Sequence, residues 1–414
     1  MRPFTSKDRT IRSDFFYILP MQIGAILFNI LLNVFIARGL GPSGKGIVDY
    51  YVLLNYFVGS FGSLGIASGV LYMMTRKDTG LEEGRGVSYF FTLIGTMGVL
   101  LVLTGHLLFS QGPYQSAIIL AMIAAPITIY RLFWTSILVS QNLSPLNQLF
   151  TMLTALAGMT LVGLIWWQDA ISPTLVMAIL MGAAYLVTSG GELALFRGRE
   201  IRFSRKAIHE TFVFSRRIFP GHVFNTIHFR LGQYFLAYKV GPAALGIFAL
   251  ATRLSELFWQ LDQALISAAL YKITTLEKKE SLRLVLKLMA LVSAVGALGL
   301  IFVYFLGEWI IVLVFGEPFR ETFEPLLYLL VGAIAWSVSR IQAQYLGFRL
   351  GRAKDMTRGA FAGAALNLSL LAYLALTEKL TVVSMAQVNM ASMSATFLTY
   401  AGMLVFRKYD EEEL

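Results

Sequence analysis

Two stretches, "VSYFFTLIGTMGVLLVLTGHLLF" from Val87 and "LVLKLMALVSAVGALGLIFVYFLG" from Leu284, limit what this chain can become. Each matches the roughly 20 helical residues that cross a hydrocarbon core. In that medium a backbone N–H or C=O has no water to bond, so each run must satisfy its own polar groups. The apolar residues are continuous and show no strand-like alternation, which predicts helices. Hydropathy predicts about twelve such spans: Phe15–Ala37, Tyr50–Met73, Val87–Leu108, Ser116–Val139, Leu149–Trp167 and Pro173–Phe196 in the first half. In the second half they are Ile218–Tyr238, Ile247–Tyr271, Val285–Phe305, Pro325–Phe348, Gly359–Leu376 and Val383–Phe406. "WIIVLVFG" near Trp309 reads as a short segment at the membrane surface.

Only 14% of the 414 residues are charged and 57% are hydrophobic, where a soluble domain carries about 25% charge. The net charge of +10 does not point to nucleic acid, because the basic residues sit in short loops between spans. The N-terminus, "TRKDTGLEEGR", "RGREIRFSRK", "KITTLEKKESLR", "RLGRAKDMTR" and the tail hold roughly two dozen Lys and Arg, against about five in the intervening loops. Both termini are therefore expected in the cytoplasm. Arg2, Lys7, Arg9 and Arg12 precede a run too long for a cleaved signal sequence, so a retained first span is expected. Without cysteine the chain has no disulfide, thiol chemistry or Cys-ligated metal.

"FIARGLGPSGKGIV" from Phe35 returns as "FLAYKVGPAALGIF" from Phe235, an offset of about two hundred residues, near half the chain. Pro20 and Pro220 share that offset. Six spans per half is an even number, so both halves enter the membrane in the same sense and form a parallel repeat. The expected architecture is an all-α integral membrane protein of two six-helix lobes. Residues 1–197 form the N-terminal lobe, 198–217 a basic cytoplasmic linker, and 218–414 the C-terminal lobe.

Ionisable side chains within spans are costly and tend to face a cavity or a partner. Arg131 lies in span four, His222, His228 and Arg230 in span seven, Arg253, Glu256 and Asp262 in span eight, and Arg340 in span ten. His222, Thr226, Arg230 and Gln233 step by three or four residues and share a helix face. Arg253, Glu256, Gln260 and Gln263 make a second stripe, Ser337, Arg340 and Gln344 a third, and Gln22, Asn29 and Asn33 a fainter one on span one. Converging stripes would build a cationic chamber whose guanidinium groups suit phosphate. Other readings stay open. Arg253–Glu256 could be a structural ion pair, the histidines packing groups, and the span-one amides interhelical bonds. No Walker loop, His/Glu metal motif or large outer loop is present, so an enzyme, a metal and a cofactor are not expected.

The stretch "FIARGLGPSGKGI" resembles the first-span exit of the multidrug/oligosaccharidyl-lipid/polysaccharide flippase superfamily. "GPAALGIFALATRLSELFWQLDQAL" resembles its polysaccharide-transporter (Wzx-like) branch, through Gly246, Phe248, Ala251, Arg253, Leu254, Glu256 and Trp259. "VFGEPFRETFEPLLYLLVG" is similar to that branch's approach to span ten. The chain departs where the family often reads L-D-Q late in span seven: here stand Leu231, Gly232 and Gln233. It departs again at Ala269 and Leu270, where relatives often carry proline.

The resemblance implies a multi-pass flippase of a bacterial inner membrane. Its cargo would be a polyprenyl-pyrophosphate-linked oligosaccharide, moved by alternating access through the cationic cavity. Arg131, Arg230, Arg253, Arg340, Gln233, Gln344, Asn29 and Asn33 would bind the substrate, and Glu256, Asp262 and His222 would serve coupling or gating. Membrane lipids, a proton or sodium gradient and a polysaccharide polymerase are the implied partners. The rivals are a cation-coupled drug exporter or lipid II flippase of the same superfamily, and a membrane glycan polymerase or ligase.

Overall fold

The computed structural model describes residues 11–76, 79–109 and 112–406. Arg2, Lys7, Arg9 and the C-terminal tail lie outside them. The first half holds α1 (Ile11–Gly62), α2 (Ile66–Arg76), α3 (Leu81–Phe109), α4 (Gln115–Ser140), α5 (Ser144–Trp167) and α6 (Pro173–Phe196). The second holds α7 (Arg205–Lys239), α8 (Pro242–Thr275), α9 (Lys278–Phe315), α10 (Phe323–Gln344), α11 (Ala353–Leu376) and α12 (Val382–Phe406). A 3₁₀ turn, Glu317–Thr322, leads into α10, and a π turn, Tyr345–Arg349, continues it.

Nine helical stretches among the described residues are long and apolar enough to cross a bilayer, and the 46-residue Tyr17–Gly62 holds span one and much of span two. α7 and α8 carry the two expected spans most loaded with ionisable side chains, three each when His222 and His228 are counted. The repeated Gly-Pro does the same work in each half. Gly41 (φ +64°) kinks α1 before Pro42, and Gly241 (φ +121°) separates α7 from α8, which opens on Pro242. Both glycines take a backbone region unfavourable to other residues, and a proline fits the first helical turn that follows.

The segment at Trp309 is not a separate surface element. α9 runs unbroken for 38 residues, through Gly307, and stops at Gly316 (φ +101°). Gly307 lies beside the Phe323 ring, so the weak helix former that ends the hydropathy window is a packing position instead.

The chain forms two compact units, the first ending at Thr226 and the second beginning at Ile227, within α7. In the first, α4 packs against α1, α2, α3, α5 and α6. Its buried Ala117, Ala121, Ala124 and Ala125 let neighbours approach, and Phe133 and Trp134 are buried further along it. In the second, α10 packs against α8, α9 and α12, with Val338, Ile341 and Tyr345 joining Ile273, Val285, Leu288 and Val292 in one core. The fourth span is thus the hub of each unit, as a duplicated bundle requires. Leu101, Val102 and Leu108 on α3, and Leu298 and Phe305 on α9, project outward, where acyl chains would cover them.

Close approach is strict between α1 and α3. A Cβ on Gly95 would collide with the main-chain carbonyl of Gly62, whereas one on Gly98 would meet open space. Gly95→Ala should therefore lower stability by about 1–3 kcal/mol through overpacking. Gly98→Ala should be neutral or slightly stabilising. Thermal unfolding of the two purified variants in detergent checks the contrast; equal melting temperatures would contradict it.

Candidate functional site

The second span is broken. α1 stops at Gly62, Leu64 (φ +51°) and Gly65 (φ +70°) leave the helical region, and α2 restarts at Ile66. Three local bonds hold the turn: Ser63 N–H to Gly59 O (3.1 Å), Leu64 N–H to Phe61 O (3.2 Å) and Ile66 N–H to Ser63 O (2.8 Å). Irregular backbone inside a membrane bundle is tolerated where protein buries it or where it lines a cavity. Here it lines one.

That cavity, about 560 Å³ in volume, lies within the N-terminal unit and is walled by α1, α2, α4, α6 and α7. Gly59, Ser60, Ser63, Gly65, Ala67 and Ser68 supply the wall at the break. Most of the remaining wall is apolar. Among the described residues of the lining Arg131 is the one charged side chain, none is a carboxylate, and His222 is the other nitrogen base. A guanidinium stays protonated at any working pH, so this cavity is cationic.

Arg131 is held in register from both sides along α4. One turn before it, Thr128 Oγ1 donates to Asn55 Oδ1 on α1 at 3.0 Å. One turn after it, Thr135 Oγ1 donates to Asn147 Oδ1 on α5 at 3.1 Å. The two tethers fix the face of α4 that carries the arginine. Arg131 lies nine residues before Ser140, the end of α4, and Arg340 nine before Arg349, the end of the π turn. Each arginine thus lies on the hub helix of its unit.

The stripe expected along α7 is divided. His222 and Thr226 belong to the first unit; Thr226 Oγ1 bonds Ser60 Oγ and donates to His222 O at 2.8 Å. Arg230 and Gln233 belong to the second. There Arg230 reaches across to Glu256 Oε1 on α8 at 2.9 Å, each side chain about one-fifth exposed (21% and 19%). Gln233 is buried, and Arg253 and Arg340 are partly buried. The Oε1 of Gln344 and the Oγ of Ser337 are buried without a hydrogen-bond partner among the described residues. Asn29 and Asn33 each donate to the carbonyl four residues earlier, Ala25 O (2.8 Å) and Asn29 O (2.7 Å). The side chain of Asp262, on α8, lies outside those described.

Other charged groups escape a reading by hydropathy. Arg85 of α3 binds Glu192 Oε1 of α6 through Nε (3.0 Å) and Nη2 (2.8 Å). Tyr89 donates to the same oxygen at 3.2 Å, and Arg85 Nη1 caps Arg199 O at 2.9 Å. Lys45 pairs with Asp49 one turn along α1, both fully enclosed. Arg85 reads as one more loop charge beside a run of acidic and basic residues; the available signal was Glu192, an acid inside span six.

The bundle has the fold of transporters and flippases of the MOP superfamily. An inward-facing multidrug-resistance transporter of the MATE family superposes with a TM-score of 0.68 and 12% identity, over 93% of this chain and 97% of that one. The lipid II flippase MurJ, inward closed, gives 0.76 and 16% over 94% and 87%. A MOP transporter from Pyrococcus furiosus, described as having a binding pocket of reverse polarity, gives 0.60 and 13% over 93% and 94%. No curated protein matches the chain in sequence. Residues 35–324, well over half the chain, match the profile of a family described as polysaccharide biosynthesis protein, and the chain belongs to that family.

Glu192→Ala leaves the buried Arg85 without its counter-ion and should destabilise the protein by about 3 kcal/mol. Thermal unfolding measures this; an unchanged transition would show that the bonds from Arg85 to the carbonyls of Arg199 and Glu200 alone satisfy it.

Proposed function

We propose that this protein is a flippase that carries a polyprenyl-pyrophosphate-linked oligosaccharide across the cytoplasmic membrane by alternating access. One observation carries the reading: among its described lining residues, the cavity of the N-terminal unit presents a guanidinium as its single charge and no carboxylate. Arginine pairs with phosphate oxygens bidentately, and each charge-assisted bond is stronger in a medium of low dielectric than in water. Membership of a polysaccharide biosynthesis family supports a glycan-bearing cargo. In this reading Arg131 takes the pyrophosphate, and Arg230, Arg253 and Arg340 of the second unit give further contacts to the pyrophosphate or its sugars. Glu256, which holds Arg230, serves coupling or gating together with Asp262 and His222. A cationic drug would find no counter-charge among the described lining residues, which disfavours an exporter of that class.

A lipid II flippase is the second reading, favoured by the TM-score of 0.76 to MurJ. Both readings need an anionic lipid-linked glycan and differ in which glycan it is.

Cells lacking the protein should accumulate complete lipid-linked repeat units on the inner leaflet, and the accumulated glycan identifies the cargo. Restoring the wild type should clear them. Arg131→Gln should slow clearance about ten- to a hundredfold, the weight of one hydrogen bond to a charged group, and Arg131→Lys should fall between. Full clearance by a variant with Arg131, Arg230, Arg253 and Arg340 all neutralised would overturn the proposal.

A further inference from the structure

Glu324 of the C-terminal unit is an exposed acid in the first turn of α10, within the apolar stretch Glu317–Gly347 that is long enough to cross a bilayer. The helix dipole favours it weakly there; its surroundings say more. The nearest basic residue in the chain is already engaged. Arg320 binds Glu317 through Nε (2.6 Å) and Nη2 (3.1 Å), and Glu308 through Nη1. Among the described residues no side chain forms a hydrogen bond or ion pair with the Glu324 carboxylate. The hydroxyls of Tyr304 and Tyr328 likewise have no hydrogen-bond partner among them.

These three residues line one groove of about 480 Å³ between α9, α10 and α12. The rest of its wall is apolar, with Ile301 and Phe305 on α9, Val331 on α10 and Met390 on α12. Ile301, Phe305 and Val331 are exposed, so the groove opens on the side that acyl chains would cover. Its α10 wall begins at Glu324 and ends two turns on at Val331, a length of about 10 Å. Gly307 abuts the Phe323 ring where α9 passes the start of α10. Tyr304 and Phe305, just before Gly307, therefore lie toward the Glu324 end, and Ile301 lies deeper.

A carboxylate and two tyrosines toward one end of an apolar groove suit an amphiphile with a cationic head. The chain fills the groove, and an ammonium gives the carboxylate charge-assisted hydrogen bonds. Tyrosine rings attract a cation, and at headgroup depth their bodies pack on the chain while their hydroxyls stay in polar surroundings. Glu308, Glu317, Glu321 and Glu324 against the single Arg320 make this end of the unit acidic. An anionic lipid would be repelled there, and a trimethylammonium head carries charge but no N–H. We propose that this groove binds a phospholipid with a primary-amine head, phosphatidylethanolamine, its acyl chain between α9 and α10 and its ammonium on Glu324. The site lies in the C-terminal unit, is separate from the Arg131 cavity, and does not depend on which cargo is carried.

Lipid titration of the purified, delipidated full chain, read by native mass spectrometry, tests it. The probes are phosphatidylethanolamine, phosphatidylcholine and phosphatidylglycerol with identical acyl chains, and a polyprenyl phosphate. Phosphatidylethanolamine should bind the wild type about three- to tenfold more tightly than the other probes, the range of one net hydrogen bond. Glu324→Gln should erase that preference. Glu321→Gln, which neutralises an exposed acid outside the groove lining, should keep it. Val331→Phe narrows the groove and should weaken all three phospholipids alike. Both Glu324 and Val331 are exposed, so these variants should fold, and unchanged melting temperatures confirm it. Equal binding of the three phospholipids by the wild type overturns the proposal. So does a preference that survives Glu324→Gln, or one that Glu321→Gln removes as fully. If Val331→Phe binds like the wild type, the chain lies elsewhere and the groove assignment fails. If polyprenyl phosphate binds more tightly than phosphatidylethanolamine and Val331→Phe weakens it, the groove takes a cargo tail and the proposal falls while the flippase reading stands.

Discussion

Hydrocarbon cannot hydrogen-bond, and the rest of this structure follows from that. Each run of apolar residues coils into a helix because no other conformation closes its own polar groups. Wherever the chain leaves the helix within a span, protein or a polar space must take over. Ser63–Gly65 is the clearest case. Two positive-φ residues interrupt span two, local bonds recover three of the exposed N–H groups, and the rest of the turn faces the cavity that also holds Arg131. The break and the cavity are two sides of one constraint.

The same constraint explains where charge is found. Arg85–Glu192 and Lys45–Asp49 are paired and enclosed, as buried ions must be. Arg230 meets Glu256 in a half-open setting. Arg131 faces a cavity with no carboxylate among its described lining residues, held there by tethers one turn to either side. A pair within the bundle stabilises the fold; a cation turned to a cavity is available to a ligand. The hub helix of each unit also carries an arginine, Arg131 on α4 and Arg340 on α10.

Hydropathy reads the spans well because length and apolarity are local properties. It misses the break in span two, since Leu64 is as apolar as its neighbours and "GSFGSLGIASG" has several glycines that could each mark a turn. It also cuts α9 at Gly307, a glycine kept for packing. Helical period groups His222, Thr226, Arg230 and Gln233 on one side of α7, yet it cannot show that the unit boundary falls between Thr226 and Ile227. Arg131 stands out in the sequence as a lone charge mid-span. Asn55 does not, because its meaning depends on Thr128, 73 residues away in the chain.

The central claim is that the N-terminal unit encloses a water-accessible, cationic space. The native chain has no cysteine, so single cysteines can be placed without altering the background. Thr128→Cys, on the cavity wall, should react with a hydrophilic thiol reagent and be protected by a lipid-linked pyrophosphate. Leu101→Cys, on the lipid-facing side of α3, should not react. A Thr128→Cys protein that is folded yet inert to the reagent would mean the space is dry, and would contradict the account.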